Sequence, residues 1–256
     1  MSKTNYLRNQ MRELYHSRNY AEAAKYGEAL LTEHWRNDSE SPVLSDDLFN
    51  VALIYDEMGA LEKAAKLYSA SARHIDDNDF MGIAKRANNL AGVLVRMGGL
   101  EAAHHFYTQM KHIYQRYAGV NSTIYADSLY NLANTSAALK RKDEAIRLHA
   151  EALKIREDMG ATEDMVNSLH SLAVIHEEAE EYEKAASYGE AALELADGSA
   201  YLRVCSYLAK LYEADGQHDK AMDILVNAHM HADIQYEPGD DAMITALVNF
   251  DNLESL

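Results

Sequence analysis

Asparagines recur at one position in the chain's predicted helices, and a side-chain amide is well suited to binding chemistry. Asparagine is a mediocre helix former, so its repetition in the middle of helices needs a reason. An amide offers both a hydrogen-bond donor and an acceptor, and a row of amides could pair with the N–H and C=O groups of an extended peptide. Alternatively, the amides bond neighbouring helices of the protein itself. The row comprises Asn9, Asn50, Asn89 and Asn131, with Ser171 and Tyr207 at the equivalent later positions and Asn249 near the end of the sequence.

Histidine and cysteine form no recognisable catalytic or metal-binding pattern. His105 and His112 could lie on one helix face, and His229 and His231 form another pair, but neither pair has a third ligand at a convincing spacing. The single cysteine, Cys205, stands at an apolar position and predicts a buried, inert thiol. The sequence contains no nucleophile elbow, phosphate loop or dinucleotide fingerprint. We therefore predict a protein that is not an enzyme and has no metal or cofactor.

The charge of the chain excludes some classes of partner. The formal net charge is −17, and residues 157–256 hold 22 acidic side chains against four basic ones. Nucleic-acid binding requires the opposite sign. The acidity could serve solubility alone, or it could attract a basic partner. The run Glu177–Glu181 is predicted to be a solvated helix end and turn.

Targeting features are also missing from the sequence. No apolar stretch approaches the roughly 18 residues needed to span a bilayer, and the first residues lack the apolar run of a secretory signal. We expect no membrane partner and a cytoplasmic location.

The candidate binding residues are positioned by an internal repeat. Its marker is a small residue that recurs after steps of 41, 39, 42, 40 and 36 residues. A period of this size predicts a solenoid of stacked units in which each unit packs on its neighbours. The marker residues are Ala23, Ala64, Ala103, Ala145, Ala185 and Ala221.

Each repeat is predicted to be a pair of helices, A and B. In the fourth repeat, small or apolar residues recur at helical spacing over 128–139 for helix A and 143–158 for helix B. Alanines allow the two helices to approach closely, so a large residue there should overpack the contact. A second set of small residues on successive A helices comprises Ala52, Ala91, Ala133, Ala173 and Ala209.

This pattern resembles the tetratricopeptide repeat: a small residue late in helix A, a glycine-type turn such as Met58-Gly59, and an alanine early in helix B. The long units and the segment from Ala152 to Gly160 resemble the kinesin light chain subtype. The resemblance implies an all-α, right-handed superhelical solenoid of about six helix-turn-helix repeats forming a single domain over residues 1–256, with a C-terminal capping helix. The expected repeats are 4–33, 45–75, 83–116, 126–158, 163–196 and 201–233, and the expected terminal helix is 240–253.

The resemblance also implies a binding surface. Asparagines at this position in peptide-binding members of the family contact the peptide backbone, on a concave face lined by A helices. We therefore predict a protein- or peptide-binding adaptor, with further residues on that face selecting peptide side chains. The predicted site residues are Asn9, Asn50, Asn89, Asn131 and Asn134 for the backbone, and Arg8, Arg12, Lys85, Asn88, Arg96 and Tyr130 for selection.

Two other functions remain open at this stage. The chain could be an assembly scaffold or homodimer that uses its convex face or its ends. It could also be part of a peptide-sensing regulator, since the long repeats resemble those of bacterial pheromone receptors. We expect the complete sensor less, because the first repeat begins within the first ten residues and leaves no room for an N-terminal effector domain.

Overall fold

A computed structural model describes residues 2–37 and 43–235, and residues 232–235 through their backbone. Within these ranges the chain forms twelve α-helices and no strands. The helices are α1 Lys3–His16, α2 Tyr20–Asn37, α3 Leu44–Glu57, α4 Leu61–Arg73, α5 Phe80–Arg96, α6 Leu100–Tyr117, α7 Thr123–Ala138, α8 Lys142–Asp158, α9 Thr162–Glu177, α10 Tyr182–Leu195, α11 Gly198–Ala214 and α12 His218–Gln235.

The helices form the six predicted hairpins. Each odd-numbered helix packs against the even-numbered helix that follows it, and a short turn joins the two. The all-α repeat fold predicted from the sequence is therefore confirmed. The predicted terminal helix over 240–253, with Asn249, lies outside the described residues.

Two compact units make up the chain. Unit 1 is Met1–Val120 and contains α1 to α6, and unit 2 is Asn121–Leu256 and contains α7 to α12. The core of unit 1 includes Met11, Leu30 and Tyr68, which are all at most 1% exposed. The core of unit 2 includes Leu208 and Leu211. Within each unit, even-numbered helices also pack against the next odd-numbered helix.

The alanines at the repeat positions are buried within the hairpins. All six marker alanines are at most 1% exposed, and the five alanines of the A helices are completely buried. Such burial is expected where two helices approach closely, because the small side chain leaves no room for solvent or for a larger group. The alanine positions that the sequence assigned to the contact between helices A and B are thus buried in the fold.

The turns between helices A and B require one residue in the left-handed region. Gly59, with φ of 71°, fills this position in the second repeat. In the first, fourth and fifth repeats the position is taken by Arg18, Lys140 and Glu180, with φ between 58° and 60°. A residue with a Cβ atom is disfavoured there, so the hairpin contacts hold these turns against a local preference.

The starts of the helices were less predictable than their pairing. Helix α7 begins at Thr123, three residues before the expected start of the fourth repeat at residue 126. The cause is local: the Ser122 side chain accepts a hydrogen bond from the Tyr125 backbone N–H and caps the helix. Among the described residues, no helix is both long enough and apolar enough to cross a membrane.

Gly27, in α2, marks a close approach between the first and second repeats. A Cβ atom at Gly27 would lie 2.8 Å from Cγ2 of Val51 in α3, and Val51 is completely buried. A valine has little freedom to turn away. By contrast, a Cβ atom at Gly92 in α5 would meet its nearest neighbour, the Tyr107 hydroxyl, at 3.6 Å.

Gly27→Ala should therefore destabilise the protein although alanine is the better helix former. Overpacking costs about 1–3 kcal/mol, which outweighs the gain of about 1 kcal/mol in helix propensity. The matched variant Gly92→Ala should stabilise the protein by up to about 1 kcal/mol. Urea denaturation followed by circular dichroism measures both. Equal and positive changes in the free energy of unfolding would contradict the close approach.

Candidate functional site

The asparagines predicted to bind a peptide lie on the first helices of the repeats. We call the surface formed by α1, α3 and α5 the A-helix face of unit 1, and the surface formed by α7, α9 and α11 the A-helix face of unit 2. Asn9 is exposed, whereas Asn50, Asn89 and Asn131 are half-buried. The residue that follows is buried in two cases, Val51 and Leu132, and half-buried in the other two, Gln10 and Leu90.

One of these amides has a partner within its own helix. The Asn89 side-chain N–H₂ donates to the Lys85 backbone carbonyl at 2.9 Å. A carbonyl four residues earlier is a common acceptor for a short polar side chain in a helix. A peptide would therefore compete with this bond for one amide N–H of Asn89. Asn134, one turn further along α7 than Asn131, is exposed.

Arg8 is already held by the protein. Its Nε and Nη2 donate to the two carboxylate oxygens of Asp47 at 2.7 and 2.6 Å. Asp47 is 1% exposed, and its Oδ2 also lies 2.8 Å from Nε2 of the buried His34. A two-pronged arginine–carboxylate pair of this kind is strong and directional. Arg8 therefore links α1 to α3, and a role in selecting peptide side chains remains a prediction.

The other basic residues predicted on this face differ in the partners of their charged groups. Arg96 donates to Asp56 of α3. The Lys85 ammonium lies 5.1 Å above the ring of Phe49, a favourable cation–π geometry. Arg12 is exposed and forms no ion pair with any residue that the structure describes. Asn88 is half-buried on α5.

A pocket of about 160 Å³ lies between α1 and α3 on the A-helix face of unit 1. Two predicted site residues, Arg12 and Asn50, belong to its wall. The pocket could not be predicted from the sequence, because the shape of the pocket depends on the spacing of two helices. The lining residues are Met11, Arg12, Tyr15, His16, Asn50, Leu53 and Ile54.

In unit 2, Tyr130 is packed on both sides. Its ring meets His149 edge-on at 5.3 Å, and the Arg156 guanidinium lies 4.8 Å from its centroid. The Tyr130 hydroxyl also lies 3.4 Å from the Ser171 hydroxyl of α9. Ser171 occupies the asparagine position of the fifth repeat, so Tyr130 contacts that row directly. The ring is half-buried and presents only part of its surface to a ligand.

A set of polar contacts between adjacent repeats, each with a buried charged side chain, was not predicted from the sequence; we call them the junction clusters. The first is Arg8, His34 and Asp47. In the second, the buried Arg86 donates to Ser71 at 2.7 Å and to Asp46 at 2.5 Å. In the third, the buried Arg156 donates to Ser168 at 2.6 Å and to Asp127 at 2.8 Å. The sequence feature that could have predicted these contacts is a charged residue at a repeat position that is apolar or small in the other repeats.

The run Glu177–Glu181 is the end of α9 and the turn that follows it, with Glu178 and Glu180 exposed, and its last residue has three basic partners. Glu181 accepts hydrogen bonds from Lys142 and from Lys184 and lies 2.8 Å from Nδ1 of His176. These partners, Lys142 first, lower the pKa of Glu181 to about 2. Lys142 begins α8, so Glu181 connects the fourth and fifth repeats through the start of α10.

Cys205 and the histidines give no sign of chemistry in the described part of the chain. Cys205 is completely buried, and burial raises its pKa to about 11, as expected for an inert thiol. No three histidine, cysteine, aspartate or glutamate side chains among the described residues are grouped to hold a metal ion.

His149 is the most unusual titratable group in unit 2. Its side chain is completely buried, and neither ring nitrogen has a hydrogen-bond partner. Burial, with a smaller contribution from the positive charge of Arg156, lowers its pKa to about 4. The second and third repeats carry Tyr68 and Tyr107 at the same place, and the sixth carries Leu225.

Comparisons with known proteins agree with this architecture. Residues 83–158 match one family model described as a tetratricopeptide repeat, and residues 168–200 match another. No curated protein sequence is significantly similar to the chain.

Several solved structures have the same fold. BtubC (BKLC) from P. vanneervenii is 19% identical, with a TM-score of 0.67 over 91% of this chain and 94% of that one. A putative kinesin light chain from Podosopora anserina with nearly identical TPR-like repeats is 18% identical, with a TM-score of 0.65 over 77% of this chain and all of that one. The apo form of RapI is 15% identical, with a TM-score of 0.74 over 91% and 84% of the two chains.

His149 should make the protein less stable in mild acid. The unfolded chain binds a proton at this residue below about pH 6.5, whereas the folded protein does so only near pH 4. Acid therefore favours unfolding, and the loss should reach roughly 3 kcal/mol between pH 6.5 and 4. In His149→Leu this part of the pH dependence should disappear.

Urea denaturation at four pH values between 7.5 and 4.5 measures the effect. His105→Gln, a change at an exposed histidine of α6, is the control and should keep the wild-type pH dependence. A His149→Leu protein with the same pH dependence as the wild type would refute the buried neutral histidine.

Proposed function

Because the chain is a tetratricopeptide repeat protein whose repeats resemble those of kinesin light chains, we propose that it is a non-catalytic adaptor that binds an extended peptide or a partner's tail. The peptide lies on the A-helix faces. The observation that carries the proposal is the recurrence of an amide at one position of successive A helices, at the surface of the repeat and outside the alanine contacts that hold it together.

The chemistry of the amides supports backbone recognition. Each amide can donate to a peptide carbonyl and accept from a peptide N–H, so the contact does not depend on the peptide's side chains. Asn9, Asn50 and Asn89 offer this on unit 1, and Asn131 and Asn134 on unit 2. The hydrogen bond from the Asn89 amide to its own helix involves only one side chain. Rotation of that side chain breaks the bond and frees the amide when a peptide binds.

Side-chain selection then falls to the groups around the amides. In unit 1 these are Arg12, Lys85 and Asn88. In unit 2 Tyr130 offers the exposed part of its ring. Arg8 and Arg96 are each bound to an aspartate, so they can offer a peptide only the N–H groups that this pairing leaves over.

A second candidate function is self-association, and one observation on α12 favours it. Met222, Val226 and Met230 follow one another at helical spacing and are 44–58% exposed. The same positions of α10 are held by Ala186, Glu190 and Glu194. A stripe centred on Val226 can pair with its own copy in antiparallel orientation, as a twofold interface requires.

Removing one amide should weaken peptide binding without changing the fold. A peptide selected from a random library provides the probe, and fluorescence anisotropy measures its Kd. Asn89→Ala and Asn131→Ala should each raise the Kd about five- to tenfold, the equivalent of one lost hydrogen bond. Thermal unfolding should stay unchanged. Asn227→Ala, at an exposed asparagine of α12, should bind normally, and a normal Kd for both test variants would refute the role of the row.

Self-association has a separate test. Size-exclusion chromatography with light scattering should give a dimer if the α12 stripe pairs, and Val226→Glu should then give a monomer, because the interface would bury an unpaired charge. A wild-type protein that remains monomeric up to about 0.5 mM would exclude this function, since that concentration corresponds to weak binding only.

A further inference from the structure

We infer that the α12 stripe, formed by Met222, Val226 and Met230, is a docking surface for a basic amphipathic helix of a partner protein. This surface is separate from the A-helix faces, because α12 is an even-numbered helix, and its role does not depend on the amide row. Two features support it: an exposed apolar row that the repeat does not require, and acidic side chains that border this row.

The repeat register shows that the fold does not require the stripe. Its residues stand one, five and nine positions after the marker alanine of their repeat, Ala221. The last of these positions is polar in the five other even-numbered helices, where it is held by Thr32, Arg73, His112, Lys154 and Glu194. Since the repeat folds with a polar side chain at this position, the methionine of α12 needs a reason other than stacking.

The stripe is a continuous apolar surface exposed to solvent. Its three side chains are 44–58% exposed, and they share one face because residues four apart are neighbours on a helix. Single exposed apolar side chains are ordinary, but a contiguous row, here about 12 Å long, is typical of an interaction site. Methionine suits such a site because its flexible side chain adapts to a partner.

The backbone of α12 favours a helical partner over an extended one. The N–H and C=O groups in the middle of a helix are already bonded to each other, so α12 offers an extended peptide no backbone partners. A helix satisfies its own backbone and can lay an apolar face along the stripe. Its apolar residues would recur every three or four positions, as those of the stripe do.

The charge next to the stripe favours basic flanks on that partner helix. Asp219 and Asp223 are exposed, and each stands three residues before a residue of the stripe. Neither forms an ion pair with a residue in the described ranges. Lys220, which lies between them in sequence, has its ammonium 5.1 Å above the ring of Tyr212. The two aspartates therefore remain available to lysine or arginine side chains of a ligand.

The wider surroundings of the stripe have the same sign. Glu190 and Glu194 of α10 occupy two of the equivalent positions and are exposed. Residues 157–256 as a whole hold 22 acidic side chains against four basic ones. This charge steers a basic partner toward unit 2, and it opposes nucleic acid for the same reason.

Charge also argues against two other occupants of the stripe. A second copy of the chain would pair about a twofold axis, which brings the same flank of both helices together, so one acidic flank would meet the other. The segment that follows α12 in the sequence, residues 236–256, contains five acidic and no basic side chains. A basic helix is the occupant whose charge complements Asp219 and Asp223.

The test uses the full chain and the fluorescein-labelled peptide GKALKKALKKALKKAG, which places three leucines on one helix face between lysines. Fluorescence anisotropy measures its Kd. Replacing the three leucines by serine should weaken binding at least about tenfold, because the apolar burial is lost. Raising the salt concentration from about 0.05 to about 0.5 M should also weaken binding, because salt screens the attraction between exposed charges.

Matched variants locate the binding surface. Met222→Ser should weaken binding about fivefold, whereas Met159→Ser should not, although Met159 at the end of α8 is exposed to a similar extent, 44% against 48%. Asp223→Asn should weaken binding about threefold, whereas Asp143→Asn, at an exposed aspartate of α8, should not. Equal effects in the test and control variants would show general attraction and would overturn the inference.

Three further results would overturn it. The first is a peptide that does not bind, or a serine peptide that binds like its parent. The second is a wild-type dimer that Val226→Glu converts into a monomer, because a second copy would then occupy the stripe. The third is weaker binding of the helical peptide to Asn131→Ala, which would place that peptide on the A-helix face. None of the first two results bears on the amide row, so the adaptor proposal is tested separately.

Discussion

The close contact between the two helices of each repeat is the constraint on which the rest of the structure depends. It exists because alanine occupies both sides: all eleven alanines at these positions are at most 1% exposed. Side chains this small let helix backbones approach and leave no space to be filled. Once the hairpin is closed, the orientation of every other position is set. The asparagine position lies next to the buried stripe, and Asn9 is exposed while Asn50, Asn89 and Asn131 are half-buried.

Stacking one repeat on the next uses a different kind of interaction. The junction clusters place Arg86, Arg156 and Asp47 in nearly solvent-free positions. Buried charges are tolerated only when they are paired and hydrogen-bonded, and here each has a carboxylate, hydroxyl or guanidinium within 2.8 Å. This arrangement has a consequence for binding. Arg8, Arg86, Arg96 and Arg156 are engaged with carboxylates, whereas Arg12 has no ion-pair partner among the described residues.

The sequence predicted the parts of the fold that depend on periodicity. Steps near 40 residues and the buried alanines identified six helix pairs, and the structure confirms them. It predicted the starts of the A helices to within one to three residues, and α7 starts earlier than predicted because Ser122 caps it. The clusters were missed for a physical reason: Arg8 and Asp47 are 39 residues apart, and their pairing depends on how two repeats stack. For the same reason the sequence identified Arg12 and Asn50 separately, whereas the pocket between them follows from the helix spacing.

The most direct measurement of the central claim is the NMR signal of the asparagine side-chain N–H₂ groups, recorded while a library-selected peptide is added. The account predicts that the signals of Asn50 and Asn131 shift with the peptide concentration and saturate with its Kd. The signal of Asn227, on α12, should stay in place. Shifts confined to Asn227 and other groups of the even-numbered helices would contradict peptide binding on the A-helix faces.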